Sequence, residues 1–186
     1  MVRTIDLINH VKANADAGVG ADADGCYGTQ CVDEVNDLSI TFFGKSLWGN
    51  AIDLLNSARD AGFEVVENVV GDVSSAPRAG AAFVQDTTYI AGHPYGHTGL
   101  VIEDSDGYTM RTIEQNIDGN ADSLYVGGPA RYNTRNFDGI VGWFYFPVDD
   151  QPAEVTPIAP AEPLTVNSST FNEEAGTFTV EVSALN

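Results

Sequence analysis

Apolar residues fall at helical spacing through the first third of the chain. Ile5, Ile8 and Val11 lie three apart and Leu7 four before Val11, which predicts a short amphipathic helix over residues 3–14. Residues 18–25, rich in glycine and aspartate, read as a loop. A second helix is predicted from Thr29, because Cys31, Val35, Leu38 and Phe42 keep the 3.6-residue period and Gly44 stops it. A third covers residues 50–59, with Ile52, Leu54, Leu55 and Ala58 apolar and Gly62 as its end. Beyond Gly62 the helical period fades. Strands are expected at 63–66, 82–85, 97–103, 108–115, 130–134 and 141–146. Asp106-Gly107 is a tight-turn signal that joins two of them into a hairpin. Helices first and antiparallel strands afterwards make an α+β layout.

The pattern changes at Asp149. Pro152, Pro157, Pro160 and Pro163 follow with acidic residues and no basic one, so 149–165 reads as an extended linker stiffened by proline and self-repulsion. Residues 177–182 then alternate like a strand. A tail of about twenty residues cannot bury a core of its own, and 166–186 is expected to be the truncated start of a C-terminal module. Residues 1–148 form the main domain.

Charge narrows the functional classes. The 186 residues carry 27 acidic and 8 basic side chains, a formal net charge of −19, with 43% hydrophobic content. That is apolar enough for a core, but a phosphate backbone needs a basic face, so nucleic acid is not an expected partner. No apolar run approaches the ~18 residues that span a bilayer, and none is expected to insert. The first residues lack a signal peptide's apolar stretch, so synthesis in the cytoplasm is expected. Two cysteines make no disulfide framework and, without paired histidines, no zinc site.

Three positions carry candidate chemistry. Cys31 opens the second helix, where the partial positive charge of a helix N-terminus favours a nucleophilic thiolate. The same position also suits a small buried hydrophobe. His97 follows a glycine at the start of an apolar strand, well placed as a general base and equally compatible with a core histidine. His93, in a Gly-His-Pro turn, and His10, in the first helix, have no comparable setting. Glu114 and Asn116 end the next strand. Reading the hairpin symmetrically about 106–107 sets position 97 opposite about 116, so these polar groups can orient one ring nitrogen of His97.

Tyr27-Gly28-Thr29-Gln30-Cys31-Val32-Asp33, then Gly96-His97-Thr98-Gly99 and Ile113-Glu114-Gln115-Asn116, resemble the CHAP family, the cysteine, histidine-dependent amidohydrolases/peptidases common in phage endolysins. Trp48-Gly49-Asn50-Ala51, Pro77-Arg78-Ala79-Gly80 and Gly142-Trp143-Phe144 extend the resemblance over about residues 16–147. One departure is Gly80-Ala81, where the family has Gly-Asp. The resemblance implies a papain-like α+β fold with N-terminal helices on a twisted antiparallel sheet. It implies Cys31 as nucleophile, His97 as base, Glu114 orienting the histidine, Asn116 in support and Gln30 at the oxyanion hole. It also implies calcium in the acidic loop, held by the side chains of Asp22, Asp24 and Asp33 and the main-chain carbonyls of Cys26 and Gly28. The spacing is not an EF-hand, since Tyr27 stands where the EF-hand glycine belongs.

The resulting expectation is a monomeric peptidoglycan hydrolase that acts at the bacterial wall after release, cleaving an amide bond in the peptide or between muramic acid and L-alanine. A calcium-stabilised, non-catalytic wall-binding or adhesion module is the alternative, and a cysteine protease acting on proteins is a third reading. A pure binder has no need of a thiol at a helix N-terminus together with a histidine and its polar partners.

Overall fold

A computed structural model describes residues 1–117 and 127–150 in full, and residues 164–172 and 177–184 by their backbone. The chain divides into two units, Met1–Asp150 and Gln151–Asn186.

The first unit begins with helices α1 (Thr4–Ala17), α2 (Cys31–Phe43) and α3 (Leu54–Asp60). Gly18 and Gly44 end α1 and α2 in the left-handed conformation that residues other than glycine adopt at a cost. The third helix is shorter than its pattern predicts. Residues Ala51–Asp53 form a 3-10 turn instead, because the Ile52 N–H is drawn to Tyr95 O at 3.0 Å and Asp53 accepts the Asn50 N–H. That turn is thereby tied to the segment leading into His97.

Six strands follow: β1 (Glu64–Glu67), β2 (Ala81–Gln85), β3 (His97–Val101), β4 (Met110–Glu114), β5 (Arg131–Arg135) and β6 (Ile140–Tyr145). They form one antiparallel sheet in the order β1-β6-β2-β3-β4-β5. The fold is therefore α+β, as the order of patterns predicts. β4 starts two residues later than expected, since Asp106 accepts the N–H groups of Tyr108 and Thr109 and keeps both in the turn. The hairpin register is as predicted: Leu100 faces Ile113 and Val101 faces Thr112, and continuing that count sets His97 opposite position 116.

Each face of the sheet is buried. On one, Ala82, Val84, Leu100, Ile113 and Phe144 pack against Leu7, Val11, Val35, Leu38 and Leu54 of the helices. On the other, Ala81, Phe83, Val101, Met110, Ile140 and Trp143 form a second cluster, covered by Phe137 from the short crossover between β5 and β6. β5 and β2 stand three strands apart, about 14 Å in a flat sheet. Arg135 of β5 nevertheless hydrogen-bonds Gln85 of β2, so the sheet curls around this second cluster.

In the second unit, β7 (Leu164–Asn172) pairs antiparallel with β8 (Thr177–Ala184), with a register shift between Val166 and Ser168. The strand expected at 177–182 is β8. β7 begins with Leu164 and Thr165, the last two residues of the segment read as linker, and the Asn and Ser residues that follow masked its alternation. Residues 151–163 of that linker lie outside the described residues.

Candidate active site

Cys31 is the first residue of α2 and is buried. Asp33, two positions on, accepts the Gln30 N–H at 2.9 Å, one half of a capping box that starts the helix at the cysteine. α2 packs on β3, whose first residue is His97. Cys26, the other thiol, is exposed in the acidic loop.

His97 and Glu114 are both fully buried, and His97 Nε2 lies 2.8 Å from Glu114 Oε2. Register puts both side chains on the sheet face that carries Phe83, whose ring lies 5.9 Å from the imidazole. Gly99 stands between them in the sheet, where a Cβ would come within 2.6 Å of Glu114 Cγ, so only glycine lets the carboxylate pass. Glu114 is well supplied with donors. Thr112 Oγ1 at 2.5 Å, Asn133 Nδ2 at 3.2 Å and Arg135 Nε at 2.6 Å reach Oε1, and Arg135 Nη2 at 2.5 Å reaches Oε2. Burial acts to raise the Glu114 pKa, but the hydrogen bonds from His97 and Arg135 outweigh it and hold the carboxyl down at about 2. An ionised Glu114 accepts only, so His97 Nε2 carries the proton and Nδ1 the lone pair.

The next residue serves the opposite face. Gln115 Oε1 accepts the Ala21 N–H at 2.5 Å, and Nε2 donates to Ala21 O at 3.0 Å and to Gln30 O at 2.8 Å. The Asn116 N–H bonds to Gly128 O, and Gly128 in turn is held by Thr29. Gly127 can be nothing larger, since a Cβ would lie 2.4 Å from the Thr29 nitrogen. The two residues before Cys31 are thus stitched to the end of β4, where Glu114 and Asn116 stand. Asn116 is buried with φ +58°, and its Oδ1 accepts no hydrogen bond among the described residues.

Arg135, Thr112, Asn133 and Gln115 were not legible as site residues in the sequence, nor was Glu34. One helical turn after Cys31, Glu34 is fully buried and makes no hydrogen bond among the described residues. Burial pushes its carboxyl up to about 8, and the charge of Glu114 adds to the shift.

The acidic loop brings three of its predicted ligands together. One carboxylate oxygen from each of Asp22, Asp24 and Asp33 lies within 4.8 Å of the others. Two oxygens about 2.4 Å from one calcium are at most ~4.8 Å apart, so the three fit a shared ion. Among the described residues no lysine or arginine pairs with them. Burial raises Asp33 to about 6 against the N–H of Gln30, and Asp24 and Asp22 add like charge. Of the two expected carbonyl ligands, Gly28 O accepts the Gln30 N–H at 3.0 Å and keeps one lone pair. Cys26 is anchored through its N–H on Asp24 Oδ1 at 2.7 Å.

The family model of the CHAP domain matches residues 20–116. The chain belongs to the CHAP family. It is 30% identical to Endolysin LysK of Staphylococcus phage K over 129 residues, which are 68% of this chain and 24% of that protein. The chain thus spans about a quarter of this curated relative. It also resembles the crystal structure of the wild-type endolysin LysIME-EF1, with a TM-score of 0.66 and 34% identity over 81% of this chain and 67% of that one. The CHAP match runs from the acidic loop through Cys31 and His97 to Asn116. Arg135, on β5, lies beyond it.

Proposed function

We propose that this CHAP domain is the catalytic part of a peptidoglycan hydrolase that cleaves an amide bond through a cysteine nucleophile. The observation that carries the reading is the buried His97–Glu114 pair, whose histidine opens the strand against which the Cys31 helix packs. A buried carboxylate fixing a histidine tautomer costs desolvation and brings a binding module nothing. In this reading His97 Nδ1 takes the Cys31 proton, and the thiolate attacks the amide carbonyl. The Cys31 backbone N–H and Gln30 stabilise the oxyanion. The imidazolium then protonates the leaving amine, and water hydrolyses the thioester with His97 again as base. Glu114 steadies the imidazolium without taking its proton, and Asn116 supports the end of its strand.

Calcium belongs to the same reading. Asp22, Asp24 and Asp33, with the carbonyls of Cys26 and Gly28, would hold it, and its charge would neutralise the cluster that leads into α2. Its role is structural.

Digestion of purified Gram-positive cell walls, followed by mass analysis, tests the proposal. A new amino terminus on L-alanine with peptide-free muramic acid in the glycan denotes an amidase, and a new amino terminus at any other residue, with the muramic acid still substituted, an endopeptidase. Intact walls with the wild-type chain, or equal digestion by Cys31→Ser, would overturn it.

A further inference from the structure

Glu114 can orient His97 only if something orients Glu114. The carboxylate is fully buried on a curled sheet face, and its side chain could turn away from the imidazole at little cost if its other contacts were weak. They are not. The arginine register-paired with Glu114 is Arg131, which is exposed; Arg135, paired with Met110 four residues on, is the one that reaches the carboxylate. Its Nε and Nη2 take one oxygen each, the two-point fork that a lysine cannot make. Its remaining edge is also fixed: Nη1 donates to Gln85 Oε1 at 3.0 Å, while Gln85 Nε2 donates to Asp138 O at 2.8 Å. The guanidinium lies over the Phe83 ring, 5.5 Å from its centroid, and that ring also flanks His97. Four elements thus converge on one guanidinium: β4 through Glu114, β2 through Phe83 and Gln85, the β5–β6 crossover through Asp138, and β5 itself.

We infer that Arg135 is a positioning residue of this active site, clamping both oxygens of Glu114 so that the carboxylate holds His97 in the tautomer with Nε2 protonated. The inference rests on the proposed cysteine hydrolase. Arg135 touches neither substrate nor nucleophile and acts through Glu114. It also supplies the positive charge that lets a carboxylate stay ionised there beside the buried Glu34. The rest of the cluster divides the work unequally. Thr112 and Asn133 each give a single neutral hydrogen bond to Oε1, and Arg135 alone ties both oxygens to an element outside the His97 hairpin.

The test uses the whole chain, labelled with 15N-histidine, in wild type and in Arg135→Met, Arg135→Lys and Arg131→Met. NMR of the His97 ring reads the tautomer directly and needs no activity. Wild type is expected to show one tautomer with a slowly exchanging Nε2 proton. Arg135→Met should show exchange between tautomers or loss of that proton signal, Arg135→Lys an intermediate state, and Arg131→Met no change. On soluble muropeptides kcat should fall about 10- to 100-fold in Arg135→Met, less than the 10²–10⁴ a positioned base supplies. KM should stay within about twofold, and Arg135→Lys should recover part of kcat. If Arg135→Met does not fold, Arg135→Lys and Gln85→Met carry the same readouts with several-fold effects. A single wild-type tautomer in Arg135→Met, a change confined to KM, or a lysine variant no better than methionine would overturn the inference. Wild-type inactivity on wall fragments would instead refute the proposed function, and the NMR comparison would still decide Arg135.

Discussion

Two carboxylate sites with opposite electrostatics are tied to the segment around Cys31. On the sheet side, Glu114 is fully buried and is held at about 2 by His97 and Arg135. On the loop side, Asp33 is raised to about 6, its nearest charged neighbours being Asp24 and Asp22. The chemistry of the groups is the same; what differs is the source of the cation. The sheet carries its own cation, so its carboxylate is preorganised at all times. Among the described residues the loop has none, which leaves its geometry open to an ion from solution. The two sites meet through Gln115, which follows Glu114 in sequence and hydrogen-bonds both the loop at Ala21 and the Gln30 carbonyl before Cys31.

The largest effect expected is on the shared centre. Cys31→Ser and His97→Ala should each lower wall lysis about a thousandfold or more; Cys31→Ser should leave the melting temperature near wild type, whereas His97→Ala takes a donor from the buried Glu114 and lowers it. Cys26→Ser should retain activity, because its exposed thiol belongs to the loop. Turbidity loss of a cell-wall suspension measures all three. Lysis lost in Cys26→Ser and kept in Cys31→Ser would exchange the roles of the two regions.

Acid separates the buried carboxyls next. Glu114 has a folded pKa of about 2 against 4.5 unfolded, so its contribution is complete above pH ~4.5 and is lost as pH falls toward 2. The loss amounts to on the order of 3 kcal/mol. Glu34 runs the other way: with a folded pKa of about 8, its contribution is complete below ~4.5 and disappears as pH rises through 8. Urea titrations from pH 2 to 9 should therefore show stability falling on both sides of about pH 4.5. Glu34→Gln should remove the part of the upper limb that extends toward pH 8, leaving the part due to Asp33, raised to about 6, and the acid limb in place. An unchanged upper limb in that variant would remove Glu34 as its cause.

Calcium should act on the loop side alone. An ion that binds only the folded state, at a hundred times its Kd, adds ~2.7 kcal/mol, which for a domain of this size raises Tm by about 5–10 °C. Replacing Asp22 and Asp24 together by alanine should abolish the rise, whereas Arg135→Lys should keep it. Identical melting with calcium and with chelator would remove the ion from the picture.

These contrasts also mark what the sequence made legible. The second helix could be read from a clean 3.6 period closed by Gly44, though it starts at Cys31, two residues after the expected Thr29, and the Asp106-Gly107 turn was enough to place His97 opposite position 116. Both are local signals, set by neighbours a few residues apart. The support of Glu114 could not be read the same way. Arg135 lies twenty-one positions away, on a strand whose register partner is Met110, and it arrives only because the sheet curls. A pairing argument would have chosen Arg131. Asp33 shows a different gap: the resemblance marks it as a ligand, while the structure also makes it one half of the capping box of α2 and an acceptor for the Ala23 N–H. Gln115 stood in a quoted motif but carried no signal of its role, because a glutamine just past the end of a strand has the same one-letter context whether it is buried or solvated.

The smallest effect sharpens the comparison by its sign. In calcium-free buffer, Thr112→Val removes one donor from Glu114 and keeps the side-chain volume, so Glu114 Oε1 retains Asn133 and Arg135. A hydrogen bond to a charged group is worth ~1.5–3 kcal/mol. With the other donors in place the expected loss is at the lower end, together with a two- to fivefold fall in kcat as the carboxylate loosens. Thr112→Ser should restore most of both. Asp22→Asn should do the reverse on the loop side. Asp22 is exposed and adds like charge to Asp33, so neutralising it relieves repulsion and raises Tm by about 1 °C, as expected of a weak surface interaction. Adding calcium should then reverse the order, because the asparagine variant gives up one anionic ligand while Thr112→Val keeps them all. Melting curves of wild type and the two variants, with and without the ion, supply the six values needed. If Asp22→Asn destabilises the calcium-free chain, the loop has a compensating partner of its own, and the contrast between a site with an internal cation and a site without one no longer holds.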